Sequence, residues 1–108
     1  MWILHRGLRS RRIVPVVPAA VLAEAWRGGS GRQANLARLL AVCEIEPMTE
    51  DQAKAVGVLA GKAAHDDIVD VAVVEGAIRR GDAVVTSNED HIRAIAQAAG
   101  RRLRVAQV

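Results

Sequence analysis

The sequence predicts an α/β domain built on a parallel sheet with helices on its faces. Three observations predict it. Short, β-branched apolar runs alternate with longer segments of helical periodicity. The stretch between one strand-like run and the next has room for a helix. No low-complexity tract or linker divides the 108 residues, so residues 1–108 read as a single domain.

The elements follow in order. "IVPVV", Ile13 to Val17, is a buried-strand pattern. Pro18 suits the first turn of a helix. "AAVLAEAWRGG" sets Val21, Leu22, Ala25 and Trp26 on one helical face, with Glu24 on the other and Gly-Gly as the stop. "GRQANLARLLAV" is a second helix leading into a short strand in "AVCEIEP", where Cys43 reads as a small buried apolar residue. "MTEDQAKAVGVLAGKA" is a third helix. Thr49 and Gln52 have capping-box spacing, Glu50 and Asp51 suit the helix dipole, and Gly61 marks the end. Asp66 or Asp67 caps a fourth helix, from about Ile68 to Arg80, with Gly81 as its stop. "DAVVTS", Asp82 to Ser87, is a strand. "NEDHIRAIAQAAG" is a helix with Ser87 and Asp90 as its capping box, and "RLRVAQ" is the last strand.

Composition excludes several functions. With no Phe and no Tyr the core must be aliphatic, and only Trp2 and Trp26 could stack on bases. The apolar runs are too short to span a bilayer, so no membrane partner is expected. The opening "MWILHRGLRSRR" places charge after the apolar residues, the reverse of a secretory signal. One cysteine excludes an internal disulfide and a cysteine-based zinc cluster. A cytoplasmic location fits these features. The net charge of +3 is carried almost wholly by Arg. That suggests an anionic partner such as nucleic acid, with Arg27, Arg32, Arg79, Arg80 and Arg93 as candidate phosphate contacts. An Arg- and Ala-rich composition accounts for the charge equally well.

The chemistry-bearing residues are acids. In an open sheet, ligands collect beyond the carboxyl ends of the strands. Glu24 follows the first strand by about two turns, and Asn88, Glu89 and Asp90 follow "DAVVTS" directly. Asp67 and Asp70, three apart, share one side of a helix start. Carboxylates gathered without a basic partner repel, and Mg²⁺ or Mn²⁺ relieves that repulsion. Each piece also has a plainer role: Asp67 and the "SNED" turn as caps, Glu24 as a solvated side chain. His65 and His91 could be ligands or phosphate contacts, but lacking a His-x-x-x-His or Cys partner they read as surface or hydrogen-bonding histidines.

Taken together, "VVPAAVLAEAWRGG", "EPMTEDQAKAVGVLAGKA" and "DDIVDVAVVEGAIRRGDAVVTSNEDHIRAIA" resemble the PIN-domain ribonucleases. The likeness runs from about residue 13 to 108 and is closest to the VapC-type toxins of VapBC toxin–antitoxin pairs. It implies a three-layer fold with sheet order 3-2-1-4-5 and RNA hydrolysis by a water activated on Mg²⁺ or Mn²⁺. It further implies Glu24, Asp70 and Asp90 as catalytic acids, with Asp67 and Asn88 as supporting ligands. Asn88 stands where many members carry Asp, and Asp90 is the acid that could substitute. The implied partners are an RNA substrate, a cognate antitoxin and a second copy in a homodimer.

One departure is large. The family's first strand ends in a metal-binding Asp, yet no aspartate precedes Asp51. The first twelve residues match only the tail of the helix before the second family strand. The chain thus reads as N-terminally truncated, one principal ligand short and nearly inactive, with Ile13–Val17 and Asp82–Ser87 pairing directly or flanking an apolar groove. Two alternatives stand beside the nuclease: a catalytically impaired remnant that binds only an antitoxin or subunit, and a regulatory Mg²⁺-binding α/β domain.

Overall fold

The computed structural model describes residues 3–5, 14–28 and 31–107. Along the chain lie β1 (Ile3–His5), β2 (Pro15–Pro18), α1 (Ala19–Ala25), α2 (Gly31–Leu40) and β3 (Glu44–Glu46). Then come α3 (Glu50–Ala63), α4 (Ile68–Arg80), β4 (Ala83–Thr86), α5 (Glu89–Ala98) and β5 (Val105–Gln107). The α/β class is as expected. The sheet order is β3-β2-β1-β4-β5.

The sheet is mixed, which corrects the all-parallel expectation. β2 pairs parallel with β3, and β4 with β5, each across a helical crossover. β1 runs antiparallel to both β2 and β4, with Leu4 opposite Val16 on one side and Val84 on the other. The connection explains the reversal. Residues 6–14 are too few for the crossover of about a dozen residues that a parallel pair needs. The expected direct pairing of the second and fourth strands is therefore replaced by a strand inserted between them. That strand comes from the opening segment, which had matched a helix tail. Order alone defines an open α/β sheet and not a family.

The core is aliphatic, as the composition requires: Val16, Val17, Val21, Val56, Leu59, Val84, Ile92 and Ile95 are buried. α4 is its centre. It packs on β2 and β4 and against α1, α3 and α5. Its consecutive Val71, Ala72, Val73 and Val74 are all fully buried, so this helix is covered on every side.

Local signals set most boundaries. Thr49 Oγ1 accepts from the Gln52 N–H at 3.1 Å. Gln52 does not complete a capping box. Its Nε2 donates to Glu46 Oε1 at 3.2 Å, tying α3 to the end of β3. α3 runs past Gly61 and ends at Ala64, which takes the left-handed conformation at φ 49°. Pro18 both closes β2 and stands as the N-cap of α1, one residue before its first turn, and Ile13 lies outside the described residues. Ser87 does not cap α5. Asn88 occupies that position without a side-chain cap, and Thr86 Oγ1 accepts its N–H at 2.8 Å. Cys43 sits half-buried in the turn before β3, its Sγ donating to the Leu39 carbonyl at 3.3 Å, and burial pushes its thiol pKa up.

Three helical glycines make a graded test. A Cβ at Gly57 or Gly61 would meet nothing within 4 Å, whereas one at Gly76 would lie 2.9 Å from Arg80 Nη2. Gly57→Ala and Gly61→Ala should each stabilise by about 0.5–1 kcal/mol through helix propensity. Gly76→Ala should instead destabilise, because carboxylates fix the Arg80 head group. Urea midpoints of the three variants check this.

Candidate functional site

Three elements meet at the start of α4, beyond the carboxyl end of β4. Asp67 caps α4: its Oδ1 accepts from the N–H groups of Val69 at 3.0 Å and Asp70 at 3.2 Å. Asp70 is thereby fixed in the first turn, its side chain only 3% exposed. α3 delivers His65. The left-handed turn at Ala64 lets the His65 N–H bond back to the Ala60 carbonyl at 3.1 Å, which sets where the imidazole starts. α5 delivers His91 from its first turn.

Both imidazoles face the same carboxylate oxygen. His65 Nε2 lies 3.4 Å from Asp70 Oδ2, and His91 Nδ1 lies 3.7 Å from it. The rings meet edge to face, centroids 5.6 Å apart. Ligand atoms of the three residues all lie within 4.8 Å of one another. Burial pushes the Asp70 carboxyl pKa above the ordinary value, and the charge of Asp67 adds to that; His65 and His91 oppose it.

The sign of that shift gives a prediction. A carboxyl raised by folding costs stability once ionised. Stability is complete below the ordinary value near 3.8 and falls as pH rises through the folded value. Asp70→Asn removes the ionisation, so it should stay folded and gain on the wild type between pH 3.5 and pH 7.5. Urea unfolding at both pH values checks this, and a variant that loses ground as pH rises would contradict it.

The other expected acids are placed differently. Glu24 on α1 and Asp90 on α5 are exposed, as is Asn88. Among the described residues the one group of three metal-ligating side chains is His65, Asp70 and His91; Glu24 and Asp90 are not in it. Asp67 is exposed and uses one oxygen, Oδ1, for its cap. The two histidines, read from the sequence as surface or hydrogen-bonding residues with a ligand role as the lesser alternative, are the ones brought to Asp70. They lie 26 positions apart, on different helices or helix ends, so no local spacing could reveal them.

The candidate arginines divide too. Arg80 is largely buried. Its Nη1 meets Glu46 Oε2 at 2.5 Å and its Nε meets Asp82 Oδ2 at 2.8 Å. Arg79 pairs with Glu46 at 2.6 Å and Glu75 at 3.0 Å, and those carboxylates raise its pKa further. Arg80 is thus a largely buried structural cation, whereas Arg79 pairs with its carboxylates but stays exposed. Arg27 folds back on the end of α1, donating to the Trp26 carbonyl at 2.9 Å. Arg93 pairs with Glu89 at 2.7 Å. The Arg32 side chain lies outside the described residues.

Exposed arginines missed from the sequence are Arg101, Arg102 and Arg104, which line a concavity of about 600 Å³ with Arg93. They precede β5, which runs parallel to β4, whereas His91 follows β4. That places them at the opposite end of the sheet from Asp70.

No protein-family model matches the chain, and no curated protein is significantly similar to it. No described helix is long and apolar enough to cross a membrane.

Proposed function

We propose that the chain is a metal-dependent endoribonuclease domain of the PIN class, VapC-like, with Asp70 as its central acid. The observation that supports this most is Asp70 itself. It is a buried carboxylate at the carboxyl rim of an open α/β sheet, and no Arg or Lys pairs with it among the described residues. Such a group calls for a cation. Glu24, Asp90 and Asn88 are exposed and outside the His65–Asp70–His91 group, and in this reading they supply further oxygen ligands only if they move toward it. The donors fit Mn²⁺ better than Mg²⁺, because two imidazoles stand next to the carboxylate and Mg²⁺ prefers oxygen. When bound, such an ion neutralises phosphate charge and acidifies a water.

The chain's own residues then have definite tasks. Asp70 anchors, Asp67 holds it in register through the helix cap, and His65 and His91 exchange protons or hold phosphate oxygens beside it. RNA, an antitoxin and a second copy remain the partners this reading proposes, in the cytoplasm. Cleavage of a structured RNA panel with Mn²⁺ and with Mg²⁺, beside Asp70→Asn, tests it. β1 offers no carboxylate, so the expected cleavage is weak, stronger with Mn²⁺ and dependent on Asp70.

One observation favours the binding-module reading. An apolar groove of about 660 Å³ runs between α1 and α2, lined by Leu22, Trp26, Leu40 and Ile45 among others. A well-folded protein that cleaves no RNA with either metal would support that reading.

A further inference from the structure

His65, Asp70 and His91 form a ligand set of a kind the acidic reading does not contain. Two imidazole nitrogens and one carboxylate oxygen are the donors that borderline ions prefer over Mg²⁺ or Ca²⁺. The spacing agrees. Zinc bonds to nitrogen and oxygen of about 2.0–2.1 Å give tetrahedral edges of about 3.3–3.4 Å. The two edges from Asp70 Oδ2 are 3.4 and 3.7 Å. A direct charge-assisted hydrogen bond would contract to about 2.7–2.9 Å. The His65 contact, at 3.4 Å a long hydrogen bond, and the 3.7 Å His91 contact leave room for an ion between the imidazoles and the carboxylate.

The supports are fixed and independent. Asp70 is held by its burial and by the Asp67 cap, and His65 by its backbone bond to Ala60. The negative charge of Asp67 adds to the field that Asp70 feels. His91 is 56% exposed, which leaves a path from solvent. Three protein ligands with an open side leave one tetrahedral position for water or an anion.

We propose that His65, Asp70 and His91 bind a borderline divalent transition-metal ion of the Zn²⁺, Co²⁺ or Ni²⁺ type as its three protein ligands. The proposal stands without the ribonuclease reading. It does bear on it, since an ion there occupies the same Asp70 oxygen that a catalytic Mg²⁺ or Mn²⁺ would need.

The test uses the full chain, stripped with EDTA and dialysed, and contains no RNA. Co²⁺ is titrated while its visible absorption is followed, and melting is recorded with Zn²⁺, Co²⁺ and Mg²⁺ at equal concentration. The expected result is one Co²⁺ per chain with the intense absorption of a low-coordinate site. A rise in Tm with Zn²⁺ and Co²⁺ should accompany it, with none from Mg²⁺. His65→Gln/His91→Gln should lose both signals while melting normally in EDTA. Should the double variant not fold, each single variant serves, with Co²⁺ affinity expected to fall at least about tenfold, as even outer-shell losses do. A Co²⁺ spectrum unchanged by these substitutions, the absence of any spectrum, or a Mg²⁺ shift equal to that of Zn²⁺ would overturn the proposal. Because the readout is spectroscopic, its failure is separate from a failure to cleave RNA.

Discussion

Arg80→Leu should destabilise the protein by about 3–5 kcal/mol, the cost of removing one partner from a buried ion pair. That is a large share of the roughly 5–15 kcal/mol that holds a domain together. The Arg80 guanidinium neutralises Asp82, whose side chain is 1% exposed, and it ties the end of α4 to Glu46 on β3. Without it the Asp82 carboxylate stays buried and uncompensated. Arg80→Lys should recover little, since an ammonium cannot reach both carboxylates with the fork that a guanidinium offers. Arg80→Leu/Asp82→Leu should recover much of the loss. The network is imperfect already: Arg80 Nη2 and Asp82 Oδ1 are buried without hydrogen-bond partners. Urea unfolding of the three variants checks the series. Equal losses in Arg80→Leu and the double variant would show that the pairing is not what matters.

The same network predicts acid sensitivity. Burial alone would raise the Glu46 carboxyl, but hydrogen bonds from Arg79 and Arg80 outweigh burial and hold it below the ordinary value of 4.5. A depressed carboxyl contributes stability above its unfolded value and loses it as pH falls through the folded one. Stability should therefore drop below about pH 4.5, and Glu46→Gln should flatten that limb.

The second large effect concerns activity. Asp70→Asn should reduce metal-dependent RNA cleavage by at least about a hundredfold, given how strongly catalysis depends on the placement of the reacting groups. Asparagine keeps the shape and removes the charge that would anchor a cation. Because Asp70 is destabilising when ionised, the variant should be no less stable than the wild type at neutral pH. Lost cleavage then reports chemistry and not unfolding. Equal cleavage by both proteins would remove Asp70 from the site.

How far the sequence was legible differs between fold and site. α4 was readable from end to end because Asp67 and Gly81 are strong local signals and the valines between them leave no other structure competitive. The start of α5 was misread because Thr86, outside the expected box, supplies the hydroxyl. β1 was misread because a three-residue strand has no period of its own; its place is decided by the gap between β2 and β4. The pairing of Arg79 and Arg80 was not legible because Glu46, their shared partner, is more than thirty positions away. Asp70 was singled out by its neighbours in sequence, while His65 and His91 join it only through the packing of α3 and α5 on α4.

The chemistry of the RNA ends tests the central claim most directly. Cleavage by an attacking water leaves the 2′-hydroxyl uninvolved, whereas two histidines acting alone as acid and base would use that hydroxyl and form a 2′,3′-cyclic phosphate. The account predicts products without cyclic phosphate, formed with Mn²⁺ and suppressed by EDTA, and equal cutting when the 2′-hydroxyl at the scissile position is replaced by hydrogen. Cyclic-phosphate ends that persist in EDTA and vanish with the 2′-deoxy substrate would contradict it.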